Sequence, residues 1–190
     1  MPNIGDSERK TQTRVVKFFR DKLHYTYLGN LHDSENRNIM QERLHAWLLK
    51  QGYSEKLVAN AVDALVKTST NLQQGLYHAN KEVYSLLKYG AKVKESVEQS
   101  PKTVYFIDFE DVSKNDFYIA EEVTIVSNNT KRPDVVIYVN GIALAVIELK
   151  KSSVSVSNGI RQNLTNQKSN FIEDFFTTIQ FCMAGNDSEG

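Results

Sequence analysis

Cysteine occurs once in the 190 residues, at Cys182. That excludes an internal disulfide framework and fits a reducing, cytoplasmic setting. Neither sign of charge is in excess: 23 basic residues stand against 23 acidic ones, so the chain as a whole is not a polycation that coats nucleic acid. No apolar run approaches the length of a membrane span, and no membrane association is expected. The opening MPNIGDSERKTQTR lacks the apolar core of a secretory leader. His24, His32, His45 and His78 show no paired spacing of the HExxH kind and read as packing or surface residues. The length suits a single domain over 1–190 with a sizeable core. The final AGNDSEG follows directly on a strand-like segment, so a fragment of something longer is expected.

Residues 1–90 read as mainly helical. TQTRVVKFFRDKL places Val15, Val16, Phe18, Phe19 and Leu23 on one side. RNIMQERLHAWLLKQG carries Ile39, Leu44, Trp47 and Leu48 at helical spacing. SEKLVANAVDALVKT opens on an N-cap serine, Ser54, and repeats Leu57, Val58, Ala61, Val62 and Leu65. NKEVYSLLKYG reads as a helix capped by Asn80 and ended by Gly90. From residue 91 the pattern changes to short β-branched and aromatic runs: AKVKESV, TVYFIDF, FYIAEEVTIVS, DVVIYV and IALAVIELK. A helix then returns in SNGIRQNLTNQKSNF, with Ser157 as its N-cap and Ile160 and Leu164 as its apolar contacts, before FFTTIQFCMAG closes as a strand holding Cys182 as a small buried residue. The runs at 134–139 and 142–150 are apolar on both faces and call for cover on both sides. The fold class expected is α/β: a sandwich with a central mixed β-sheet flanked by helices, 91–190 forming the sheet core.

Within those runs stand Asp134, Glu148 and Lys150. Residues 148 and 150 of a strand share a face, with Leu149 on the other. Asn140–Gly141 is the strongest hairpin signal in the chain. A strict two-residue turn would put Asp134 opposite Ile147, on the wrong face. A three-residue loop would pair Tyr138 with Ile142 and Asp134 with Val146, leaving Asp134 diagonal to Glu148 at roughly 7 to 8 Å. The other face would then be Val135, Ile137, Val139, Ala143, Ala145, Ile147 and Leu149. The expectation is an odd-numbered loop or a bulge, with Gly141 at positive φ. Two converging carboxylates repel unless a cation joins them. Mg²⁺ suits such a pair, and the Lys150 amine beside it could orient water or steady charge on a phosphate. That chemistry is phosphodiester hydrolysis.

RPD followed by a hairpin and IELK resembles the Asp…Glu-x-Lys core of the PD-(D/E)xK nuclease superfamily. TQTRVVKFFRDKLHYTYLG, NKEVYSLLKYGAKV, VYFIDF, RPDVVIYVNGIALAVIELKK and IRQNLTNQKSNFIEDFFTTIQFCMAGND together resemble the N-terminal endonuclease domain of type I restriction enzyme R (motor) subunits. The resemblance implies metal ligation by Asp134, Glu148 and the Leu149 carbonyl, with Lys150 as the catalytic lysine. It also implies a Gln-x-x-x-Tyr motif, of which Gln162 is present while Asn166 stands where the tyrosine is expected. The implied partners are double-stranded DNA and the modification and specificity subunits of a restriction complex. No Walker A sequence is present, so ATP would be used by motor domains absent from this chain. Residues 131–168 carry Lys131, Arg132, Lys150, Lys151, Arg161 and Lys168 against Asp134 and Glu148, a net +4, as DNA backbone contact requires. Lys131, Arg132, Lys151, Arg161 and Lys168 are the expected DNA contacts. Glu42 reads as a surface acid rather than a further metal ligand. The alternative reading is a non-catalytic nuclease fold that binds DNA or docks subunits.

Overall fold

A computed structural model describes residues 8–188. In chain order its elements are α1 (Glu8–Asp21), β1 (Thr26–Asn30), α2 (Gln41–Lys50), α3 (Glu55–Thr70), α4 (Leu76–Tyr89), β2 (Ala91–Val93), β3 (Lys102–Val104), β4 (Phe117–Glu121), β5 (Ile125–Val126), β6 (Thr130–Lys131), β7 (Val135–Val139), β8 (Ile142–Leu149), α5 (Ser157–Asn166) and β9 (Phe181–Gly185). The main sheet has the order β1-β4-β7-β8-β9. Its outer pairs, β1 with β4 and β8 with β9, are parallel, and the two inner pairs are antiparallel. The expected mixed-sheet α/β fold is the observed one.

Three apolar clusters hold it. The helical lobe closes on Leu44, Trp47, Leu48, Leu57, Val58, Ala61, Leu65, Val83 and Leu87 and meets the sheet through Ile142. Ser54 caps α3 as expected, its hydroxyl accepting from the Leu57 N–H. One sheet face packs Val135, Ile147 and Leu149 on Val16 of α1. The other packs Val136, Tyr138, Ala143 and Val146 on Ile172, Phe175, Phe176 and Ile179.

Several local expectations are corrected. β1 interrupts the helical half, because Thr26–Asn30 finds a partner 90-odd residues away in β4 that local periodicity cannot reveal. Asn80 does not cap α4, which begins at Leu76; instead its amide donates to the carbonyls of Phe176, Thr177 and Ile179. The run at 117–127 is broken at Glu122, whose φ is 49°, into β4 and β5. Phe175–Thr177 belongs to a 3-10 turn, leaving only Phe181–Gly185 as strand. Cys182 is exposed there. Ile160 and Leu164 point to solvent at 49% and 59% exposure, and α5 buries Gly159, Asn163 and Asn166 instead.

The β7–β8 hairpin decides the geometry of everything near it. Val139 pairs with Ile142 across a two-residue Asn140–Gly141 loop, not a three-residue one. Both loop residues have positive φ, 53° and 88°, as a type I′ turn demands. Tyr138 pairs with Ala143, but Ile137 pairs with Ala145, so Leu144 is an extra residue bulged out of the ladder. Beyond the bulge Val135 faces Ile147, and one step further Asp134 faces Glu148 directly rather than diagonally. Parity is therefore corrected by a bulge, the second of the two devices expected. Ala143, on the near side of it, lies with Val136 and Tyr138 on the Asp134 face, while Ala145 stays on the opposite one.

At Gly141 a β-carbon would lie 2.9 Å from the Met40 carbonyl and 3.0 Å from the Leu44 nitrogen. Gly141→Ala combines that clash with an unfavourable left-handed backbone. It is expected to lower unfolding free energy by about 1–3 kcal/mol in chemical denaturation; an unchanged midpoint would show that the turn can relax.

Candidate active site

Asp134 sits one residue before β7, held there by the buried Pro133 and by its carbonyl, which accepts from the Glu122 N–H. Its carboxylate accepts a 2.6 Å hydrogen bond from the Leu149 N–H, which ties the start of β7 to the end of β8. Glu148, in the last turn of the β8 pleat, is 0% exposed. One of its oxygens, Oε2, accepts from the Gln162 amide of α5 at 2.7 Å. The other, Oε1, is buried with no partner. Lys150 bends back over the pair: its Nζ is 3.9 Å from Asp134 Oδ2 and 3.9 Å from Glu148 Oε2, and it donates to the Leu149 carbonyl at 2.8 Å. Two strands and one helix thus deliver Asp134, Glu148, Lys150, the Leu149 backbone and Gln162 to one point.

Two carboxylates share one ammonium in a place with little water. Burial pushes the Glu148 carboxyl up to about 9, and the neighbouring Asp134 pushes in the same direction while Lys150 opposes it. Asp134 is also raised by burial, held back by the Leu149 N–H and by Lys150. Such a pair stays ionised only when more positive charge joins it. A buried, partnerless Glu148 oxygen beside a second carboxylate and a backbone carbonyl is an all-oxygen donor set of the kind hard divalent cations take. The residues present fit such an ion. Among the described residues no cluster of three or more His, Cys, Asp and Glu suited to a metal is present, so the fit rests on two carboxylates and the carbonyl.

Of the expected DNA contacts, two share a cleft with Asp134 and three are exposed residues that follow β8 in the chain. Lys131 and Arg132 line an open cleft of about 570 Å³ together with Asp134, Glu8, His32 and Thr130. Lys131 Nζ lies 4.8 Å from the Phe171 ring centroid, and Arg132 Nε is 3.7 Å from Glu122. Lys151 is exposed directly after the site, and Lys168 is exposed beyond α5. Arg161 is exposed on α5, where it is braced by Ser157 and by Asn158 at 2.6 Å. Asn166 is 2% exposed on the buried side of α5. It presents no surface amide where the tyrosine was expected. Glu42 lies on the α2–α3 surface with His45 and Asp63, away from the carboxylate pair.

Local reading missed the α1 residues. Gln12, 4% exposed, donates to the Glu121 carboxylate at 3.2 Å and to the Asp134 carbonyl at 3.4 Å. Tyr27 bonds the other Glu121 oxygen. Glu8, at the start of α1, adds negative charge that raises both Asp134 and Glu148 further. The available signal was a glutamine one turn before Val16, on the stripe that the helix buries.

The raised Glu148 carboxyl has a consequence for stability. Between the ordinary value of 4.5 and about 9 the folded chain binds more protons at Glu148 than the unfolded chain, so stability falls as pH rises through that window. Without divalent ions, the melting temperature is expected to drop from pH 5 to pH 8.5. Glu148→Gln should flatten that slope and melt higher at the alkaline end. A slope unchanged by Glu148→Gln would place the titration elsewhere.

A family model described as "Type I restriction enzyme R protein N terminus" matches residues 5–190. Over 111 residues the chain is 31% identical to the protein named "Putative type I restriction enzyme MjaIXP endonuclease subunit" of Methanocaldococcus jannaschii, covering 54% of this chain and 11% of that one. It is 35% identical over 100 residues to the type I restriction enzyme HindI endonuclease subunit of Haemophilus influenzae, covering 50% of this chain and 10% of that one. The matched stretches span about a tenth of the length of these curated relatives. Among the described residues no helix is long and apolar enough to cross a membrane.

Proposed function

The chain belongs to the family of type I restriction enzyme R protein N termini, and from that membership we propose that it is the nuclease module of such an R subunit, hydrolysing phosphodiester bonds of duplex DNA. The observation that carries the reading is the convergence of Asp134, Glu148 and Lys150 around the Leu149 backbone, with one buried Glu148 oxygen left bare. The module acts in the cytoplasm, within a complex of modification and specificity subunits, after translocation driven by ATP in motor domains outside this chain.

Asp134, Glu148 and the Leu149 carbonyl would hold Mg²⁺, which when bound would polarise the phosphate and make water more acidic. The Leu149 N–H fixes the Asp134 carboxylate, so its free oxygen keeps one direction. Lys150, equidistant from both carboxylates, places its ammonium where negative charge builds on the phosphate as water adds and the P–O bond breaks. Gln162 holds one Glu148 oxygen and leaves the other for the cation. Lys131, Arg132, Lys151, Arg161 and Lys168 lie to either side and bind the phosphates that flank the scissile one.

In the complete R subunit within its complex, Asp134→Ala, Glu148→Ala and Lys150→Ala should each lower DNA cleavage by at least about 100-fold. ATP hydrolysis and translocation should persist. Wild-type cutting by any of the three removes that residue from the mechanism. The 190-residue chain alone is expected to cut duplex DNA poorly, since its net charge is zero; efficient sequence-specific cutting by it would contradict the R-subunit reading. Gln162→Ala should reduce cleavage by about tenfold while the chain still folds, because alanine is at least as good a helix former as glutamine and the one bond lost is that to Glu148 Oε2; unchanged cleavage would remove Gln162 from the site.

A further inference from the structure

Helix α5 is held against the sheet in an unusual way. Its inward stripe is Gly159, Gln162, Asn163 and Asn166, at i, i+3, i+4 and i+7, while Ile160 and Leu164 face solvent. No apolar ridge therefore sets the distance between helix and strands. What sets it is backbone contact. A β-carbon on Gly159 would lie 2.9 Å from the Ala184 β-carbon, 3.5 Å from the Glu148 carbonyl oxygen and 3.6 Å from the Glu148 β-carbon. Ala184 is the strand partner of Glu148, so Gly159 rests directly on the residue pair that carries the buried carboxylate. One turn later Asn163 donates to the Met183 carbonyl at 2.9 Å, fixing the helix along β9. Gln162, on the same stripe, then reaches Glu148 Oε2.

We propose that Gly159 is a positioning residue: its missing side chain lets α5 approach β8 and β9 closely enough for Gln162 to orient the Glu148 carboxylate. The inference rests on the nuclease reading above. Glycine is among the poorest residues for a helix, so helix propensity alone would favour alanine here. Only the approach to Ala184 and Glu148 accounts for it. The two longer contacts are ordinary van der Waals distances, so the obstruction is a single pair of β-carbons, and one of them can be removed.

That makes the test a swap. In the complete R subunit within its complex, Gly159→Ala is expected to lower DNA cleavage about ten- to hundredfold, with ATP hydrolysis unchanged, since a small displacement of a positioned group is enough to cost that much. Ala184→Gly alone should cut within about twofold of wild type, and the double variant Gly159→Ala/Ala184→Gly should recover most of the loss. In a Gln162→Ala background, Gly159→Ala should add little, because both act through one bond. The side-chain amide resonance of Gln162 in the 190-residue chain should move toward that of a free glutamine in Gly159→Ala and return in the double variant. Full cleavage with an unshifted amide in Gly159→Ala, or no recovery in a folded double variant, overturns the proposal. Should Gly159→Ala fail to fold, the double variant compared with Ala184→Gly alone carries the test: cleavage near that of Ala184→Gly supports the proposal, and a loss in the folded double variant overturns it. Glu148→Ala separates the two claims: cleavage by that variant defeats the nuclease reading, and the positioning claim is then decided by the amide signal.

Discussion

One bulged residue governs the site. Side chains along a strand alternate, so shifting the β7–β8 register by a single residue exchanges the faces of every later position. With the tight Asn140–Gly141 turn and no bulge, Asp134 would lie opposite Ile147. Glu148 and Lys150 would then stand on the other side of the sheet from it. Leu144 prevents this, and the backbone of Ala143 and Leu144 is supported from three directions. The Ala143 N–H donates to the Asn38 carbonyl, the Ala143 carbonyl accepts from the Thr178 hydroxyl at 2.7 Å, and the Leu144 carbonyl accepts from the Gln180 N–H. A bulge whose flanking polar groups find such partners costs little and persists.

From that register follows the electrostatics. Directly opposed strand positions bring side chains within about 5 Å, closer than a diagonal arrangement would. The consequence of that closeness shows at Glu148, whose carboxyl is raised first by burial and then by the neighbouring Asp134, while Asp134 is itself raised by burial. Lys150 relieves only part of it, since one ammonium faces two carboxylates at 3.9 Å each. Among the protein's own groups the pair is thus short of positive charge. A buried pair of this kind suits the cation of the proposed function, and the bare Glu148 oxygen is where that ion would coordinate.

Much of this was legible in the residues. The stripes Leu57, Val58, Ala61, Val62 and Leu65 and the Ser54 cap describe α3 correctly because both signals are local to the helix. Asn140–Gly141 announces its turn for the same reason. Asp134, Glu148, Lys150 and Gln162 come together, though Asp134 faces Glu148 directly rather than diagonally and Gln162 bonds the Glu148 carboxylate. The bulge itself leaves no local mark, because it depends on Asn38, Thr178 and Gln180, each reached only after the chain has folded. β1 was missed on the same ground. The orientation of α5 was read wrongly because Ile160 and Leu164 are its only large apolar residues, and periodicity assigns such residues to the buried side. Here the buried side is polar, since it serves a carboxylate rather than a core.

α1 and α5 show the two ways a helix can be anchored beside a buried charge. α1 places apolar residues on the sheet, with Val16 against Ile119, Val135, Ile147 and Leu149, and carries one glutamine, Gln12, along the same buried stripe to the Asp134 carbonyl. α5 forgoes apolar packing and relies on close backbone approach at Gly159 and on Asn163. It brings its own glutamine to the Glu148 side chain. The two helices lie on opposite faces, so each carboxylate-bearing strand end is gripped by an amide from a different side. Gln12 acts on the backbone and so sets where Asp134 begins; Gln162 acts on the carboxylate and so sets where Glu148 points. A site built this way can tolerate side-chain exchange on the solvent face of α5 far better than at either glutamine or at the glycine beneath it.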